Sequence, residues 1–163
     1  MNFKPLLTLA AICLIAPLTA APSLRLHDGK EWKELDAAAL AKLPRVEITA
    51  KARDGKEKRF SGIPLAEVLK LAGAPAGDTL RGAEMNRVVL FTAADNYQVA
   101  YSLAELDASF RKQNIILADQ VDGKPLDEYE GPLMVVAGDD LRHSRWIRQV
   151  KQLILTRAIA PAS

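Results

Sequence analysis

The sequence predicts an α+β fold class, a single compact and mostly β domain with short helices, and three observations carry that expectation. Seven or eight short runs are apolar or alternate apolar with polar, and Gly, Pro, Asn and Asp bound them as they bound strands. Three short helical patterns fall between those runs. No repeat, low-complexity tract or linker breaks the 163 residues, a length that suits one domain with one core.

Ser23 to Leu26 reads as a first strand, and a turn at His27-Asp28-Gly29 leaves His27 exposed. Asp36 to Leu43 reads as a short helix, with Asp36 as N-cap and Pro44 as stop. Arg45 to Ala52 alternates, placing Val46, Ile48 and Ala50 on one face. Asp54-Gly55 then turns the chain into a second strand, Lys56 to Phe60. The charges Arg53, Lys56, Lys58 and Arg59 read as a solvated edge. Ser61-Gly62-Ile63-Pro64 reads as the opening of a helix through Leu71, because Ser61 or Gly62 can cap it and Pro64 suits a first turn. Gly73 closes that helix, and 74–82 is a loop rich in Gly, Pro and Ala.

Val88 to Thr92 is an apolar strand, Ala94-Asp95-Asn96 a turn, and Tyr97 to Tyr101 its hairpin partner. Ser102 with Glu105 three residues on is a capping box that starts a helix to about Phe110. Ile115 to Ala118 and Leu133 to Ala137 read as buried strands around the Asp122-Gly123 turn. Val150 to Thr156 alternates and closes the domain before a short Ala-Pro tail.

Residues 1–20 have Lys4 near the start, an apolar run from Leu6 to Leu18, and small residues at the end. That is the layout of a secretory signal peptide cleaved after Ala20, with 21–163 as the mature domain and the periplasm as destination. An apolar run of this length falls short of the ~20 residues of a membrane span. Cys13, the only cysteine, would leave with the signal. A mature chain without thiols has no disulfide, cysteine nucleophile or zinc-cysteine site. The net charge of +2 falls to +1 without Lys4, so no strong electrostatic case for nucleic acid or an anionic membrane exists. The two histidines, His27 and His143, stand too far apart in sequence to suggest a metal site.

Unusual residues concentrate late in the chain. Arg142, His143, Ser144, Arg145 and Trp146 follow the apolar run at 133–137, and such a loop suits recognition of a flat polar ligand. Asp139-Asp140 reads as the end of a strand, and Glu128-Tyr129-Glu130 as an exposed loop able to touch a partner.

Several segments together resemble a known family. Phe60-Ser61-Gly62-Ile63-Pro64-Leu65 through Gly73, Thr92-Ala93-Ala94-Asp95-Asn96-Tyr97, Asp122-Gly123-Lys124-Pro125-Leu126 with Gly131-Pro132-Leu133-Met134-Val135-Val136, and Trp146-Ile147-Arg148-Gln149-Val150-Lys151 resemble, in order, motifs of the oxidoreductase molybdopterin-binding domain, the sulfite oxidase fold. The resemblance implies a compact, barrel-like arrangement of sheets with short helices, whose loops embrace a pterin. It also implies a departure. Catalytic members hold molybdenum through a cysteine expected near Ile48 to Arg53, where this chain reads ITAKAR.

What the resemblance implies is therefore a short exported protein, similar to periplasmic regulators that bind a reduced, metal-free pterin. Such regulators report to a membrane-bound receptor controlling cyclic di-GMP, and molybdenum is not expected here. A molybdopterin-dependent oxidoreductase and a structural or protein-binding module without ligand are the alternatives. A pterin presents an amino edge, a ring carbonyl and a flat face, which call for a carboxylate, a cation and an aromatic partner. Asp95, Tyr97, Arg142, His143, Ser144, Arg145 and Trp146 supply those types. Each also has a plain structural use: Asp95 as a turn former, Trp146 as a core tryptophan, Arg145 as a surface arginine.

Overall fold

Residues 22–112 and 115–158 are described by the computed structural model, and among them the chain forms two sheets. In the first, β2 (Trp32–Leu35) lies at one edge, followed by β1 (Leu24–His27), β10 (Val150–Arg157), β5 (Arg87–Ala93) and β6 (Gln98–Ser102). All these pairings are antiparallel except β1 with β10, which run parallel and unite the two ends of the described chain. The second sheet runs β3 (Val46–Lys51), β4 (Glu57–Pro64), β7 (Ile116–Val121) and β8 (Lys124–Pro125), while β9 (Met134–Val136) also pairs with β7.

Alternation explains which faces meet. Leu24 and Leu26 of β1, Phe91 of β5, Tyr101 of β6 and Leu153 and Leu155 of β10 are buried from the first sheet. Ile48, Ala50, Phe60, Ile116 and Leu117 are buried from the second, and all join one core. The sheets are tied by the segment after Trp146: Ile147 accepts from the Val135 amide and Leu133 from the Val150 amide, both at 2.9 Å. Closure thus comes from loop backbone, and no strand ladder joins one sheet to the other among the described residues. No helix there is long and apolar enough to cross a membrane.

Most local expectations hold. Asp36 caps α1 (Ala37–Ala41), its carboxylate accepting from the Ala39 amide at 2.8 Å. Asp122 and Gly123 adopt positive φ of 49° and 75°, the geometry of a two-residue hairpin turn. Gly73 ends the next helix with φ of 63°.

Four corrections concern local competition. Ser61 to Pro64 continues β4 instead of opening a helix, and α2 begins only at Leu65 (Leu65–Lys70). Long-range pairing wins over capping signals here: Ile63 and Pro64 pair with Leu117 and Ile116 of β7. The capping box at Ser102 and Glu105 forms, but starts a single 3-10 turn, Leu103–Leu106, and no helix to Phe110. Trp32–Leu35 and Lys124–Pro125 are strands that alternation did not reveal, both short, and the first rich in charge. His27 is the last residue of β1 and half-buried, edge-on to Trp32 at 4.9 Å. The signal-peptide reading of residues 1–20 falls outside the described residues.

Candidate functional site

The two sheets leave a cavity of about 370 Å³ where their loops converge. Arg53 reaches it from beyond β3, and Ala93, Asp95 and Tyr97 from the β5–β6 turn. Tyr129 comes from the loop before β9, His143, Ser144 and Trp146 from the loop after it, and Arg148 and Gln149 from the approach to β10. A recess of about 20 Å³ shares Arg53, His143, Trp146 and Arg148 with this cavity and adds Ala52, Phe60, Glu130 and Met134.

Five of the seven expected residues meet here, each already engaged. Asp95 accepts from the Tyr97 amide at 2.9 Å, so one carboxylate oxygen serves the turn, and Asn96 beside it takes φ of 67°. Tyr97 donates its hydroxyl to the Ser144 carbonyl at 2.7 Å, yet its ring remains 48% exposed. Ser144 thus contributes backbone. The His143 ring Nε2 lies 2.6 Å from the Lys51 carbonyl, which requires a proton on that nitrogen. That bond ties the 3-10 turn His143–Arg145 to the end of β3.

Trp146 packs as a core tryptophan and also lines the cavity. It is 7% exposed, donates its indole N–H to the Ala137 carbonyl at 2.8 Å, and meets Phe60 and His143 edge to face. Its donor is therefore spent on the fold, and it forms part of the cavity floor.

Arg142 and Arg145 do not line the cavity. Arg142 is an exposed residue at the N-cap of the 3-10 turn. Arg145 turns away: Nε and Nη2 each donate to Asp140 at 2.8 Å, and Nη1 donates to Glu105 at 2.6 Å. Its guanidinium also lies over Tyr101, whose hydroxyl donates to the Arg145 carbonyl. Asp140 and Glu105 raise the Arg145 pKa. Burial pushes the Tyr101 phenol up, so it stays protonated as a donor. Burial also pushes the Glu105 carboxyl up, but hydrogen bonds from Arg145 and Ser102 outweigh it and hold the group below its ordinary range.

The residues that sequence reasoning missed are the cationic ones. Arg148 lies 3.7 Å from the Tyr129 ring centroid, and Arg53 Nη1 is 3.5 Å from the Tyr129 hydroxyl. Neither arginine has a carboxylate within ion-pair distance among the described residues. Tyr129 itself is 58% exposed. Gln149, at φ of 48°, accepts from the Ala94 amide and donates through its own amide to the Glu130 carbonyl and through its side chain to that of Glu128. A non-glycine residue held there marks a place where packing over-determines the backbone. The only sequence signal for this set was the position of Arg148 two residues after Trp146.

The chemistry of the site is that of a small polar cleft with two open guanidinium groups, two exposed phenol rings and a carboxylate. Such a set suits a flat ligand rich in carbonyl and amine groups. Among the described residues no three or more of His, Cys, Asp and Glu converge to hold an ion. Polar donors, an acceptor and aromatic faces of this kind can meet a flat heterocycle, and among the described residues no cysteine lines the cleft.

Comparison with known proteins bears on the fold. A family model described as "Oxidoreductase molybdopterin binding domain" matches residues 23–161. Among solved structures, the sulfane dehydrogenase SoxCD of Paracoccus pantotrophus is similar, with a TM-score of 0.63 at 14% identity over 82% of this chain. This chain spans 37% of that one. No curated protein matches by sequence.

Proposed function

This chain belongs to the oxidoreductase molybdopterin-binding domain family, and on that footing we propose that its cavity binds a reduced pterin without metal. The observation that carries the reading is the pair Arg53 and Arg148, two guanidiniums on one cleft with no ion-pair partner among the described residues. An arginine left without a carboxylate beside an exposed aromatic ring is a poor use of charge for stability and a good one for recognition. Arg53 or Arg148 donates to the ring carbonyl, and Tyr97 and Tyr129 offer faces for stacking. His143 and Trp146 hold the floor.

In the same proposal the protein is exported and acts as a non-catalytic sensor. Its partner is the periplasmic part of a membrane-bound receptor that controls cyclic di-GMP. The sequence resemblance supports this half, together with the exposure of Tyr97 and Tyr129 at the rim, where a bound ligand changes the surface a partner meets.

The test is extraction of the protein purified from the periplasm. Mass spectrometry should find a pterin in stoichiometric amount, and metal analysis should find molybdenum far below it. Protein that yields no pterin and fails to take up added dihydropterin rules the ligand out. Stoichiometric molybdenum with redox turnover returns the chain to the oxidoreductases. A receptor fragment should co-purify in a pterin-dependent way, and cyclic di-GMP levels that ignore deletion of this protein would remove the signalling half.

A further inference from the structure

Resting on the pterin reading, we propose that Glu130 is the residue that selects the amino edge of the ligand. Of the carboxylates around the site, Asp95 lines the large cavity and gives one oxygen to its turn, and Asp140 and Glu105 are used by Arg145. Glu130 alone lines the recess that opens beside the cavity, and its side chain has neither hydrogen-bond nor ion-pair partner among the described residues. Its backbone is fixed at both ends: the amide donates to the Asp127 carboxylate at 2.9 Å, and the carbonyl accepts from the Gln149 amide at 3.0 Å. A half-buried carboxylate on a pinned backbone, left open toward a cleft, is a built acceptor.

Size argues for what it accepts. A recess of about 20 Å³ holds one water-sized group, since ~10–15 Å³ of probe volume is the minimum for one water. The ring system therefore occupies the large cavity and a single exocyclic group enters the recess. Glu130 is an acceptor and Arg53 and Arg148 are donors on the same walls. An amino group beside a ring amide, with a carbonyl next to it, matches that donor and acceptor order. A dioxo ring puts a carbonyl oxygen against the carboxylate and is rejected. Burial, with Asp127 adding, pushes the Glu130 carboxyl above its ordinary range, as expected of an acceptor still lacking its donor.

The experiment compares dihydropterin with dihydrolumazine, which carries a carbonyl where dihydropterin carries the amino group. Both are titrated calorimetrically into the full protein under nitrogen. The wild type should prefer dihydropterin by about 10–100-fold, the scale of a hydrogen bond to a charged group. Glu130→Gln should abolish that preference, and Glu128→Gln, whose side chain lines neither the cavity nor the recess, should keep it. Thermal melts of both variants confirm that they are folded. A Glu130→Gln protein that is folded and discriminates like wild type overturns the role of Glu130 and leaves the pterin reading intact. Wild type that binds neither compound overturns the pterin reading, and the inference falls with it.

Discussion

The Tyr101 hydroxyl donates a 2.6 Å hydrogen bond to the Arg145 carbonyl, and the Arg145 guanidinium lies back over the same ring with its central carbon 4.5 Å from the centroid. Backbone and side chain of one residue are thus clamped by one tyrosine. Asp140 and Glu105 complete the clamp, which fixes the turn that carries His143 and Trp146. Arg145→Ala should lower stability by about 1–3 kcal/mol, the cost of leaving partly buried partners of a charged group unpaired. Arg145→Lys should recover little, because an ammonium cannot make the paired bonds to Asp140. Urea unfolding measures both, and unchanged midpoints would remove the clamp from the account.

The same clamp gives the stability a pH dependence. The Glu105 carboxyl is held below its ordinary range in the folded protein. Its contribution is then fully present above the unfolded glutamate value of about 4.3 and fades as pH falls through the lower folded value. Glu130, raised in the folded state, has the opposite sign: folding gains from it below the ordinary value and loses that gain as pH rises through the raised one. Melting temperatures across that acid range should fall less steeply in Glu105→Gln than in wild type. In Glu130→Gln the stability should decline less than wild type as pH rises above the ordinary value. Parallel curves for all three proteins would contradict both assignments.

Gly62 sits where β4 shifts register against β7, and a Cβ built on it would lie 2.2 Å from the Leu117 carbonyl oxygen and 2.5 Å from the Ala118 Cα. Both obstacles are backbone, so no side chain can swing aside. Gly62→Ala should cost about 3 kcal/mol or more, at or beyond the upper end of ordinary overpacking. The check is the soluble yield and denaturant midpoint, and a variant as stable as wild type would mean that β4 and β7 separate easily there.

Gly62 also shows why the sequence misled at that point. Ser61 to Pro64 carries good helix-start residues, and only the partner strand more than fifty residues away decides that they stay extended. The strands that alternate, such as Val46–Lys51 and Val150–Arg157, were legible because one face is buried and the other wet. The parallel union of β1 with β10 was not, since nothing local encodes it. The site divides the same way. The composition of 142–146 flagged a loop that reaches the cavity, but which way each side chain turns depends on partners elsewhere. Asp140 and Glu105 take Arg145 outward, and Lys51 takes His143 inward. Arg53 read as part of a solvated edge and Tyr129 as part of an exposed loop, because their meeting spans 76 residues between them.

Arg145 and Arg148 are three positions apart and should therefore separate cleanly by experiment. Arg148 makes a cation–π contact with an exposed tyrosine and no ion pair among the described residues, so Arg148→Ala should cost about 0.5–1 kcal/mol of stability at most. Its loss from the cavity should weaken dihydropterin by about tenfold or more, as removal of a charged hydrogen-bond donor does. Arg53→Ala should behave alike, and the double variant should show no measurable binding. Arg145→Ala should show the reverse pattern: an early melt, with affinity near wild type in the folded fraction at low temperature. The two measurements together distinguish a ligand group from a structural one. A stable Arg145→Ala that no longer binds, beside an Arg148→Ala that binds normally, would exchange the roles assigned to the two arginines.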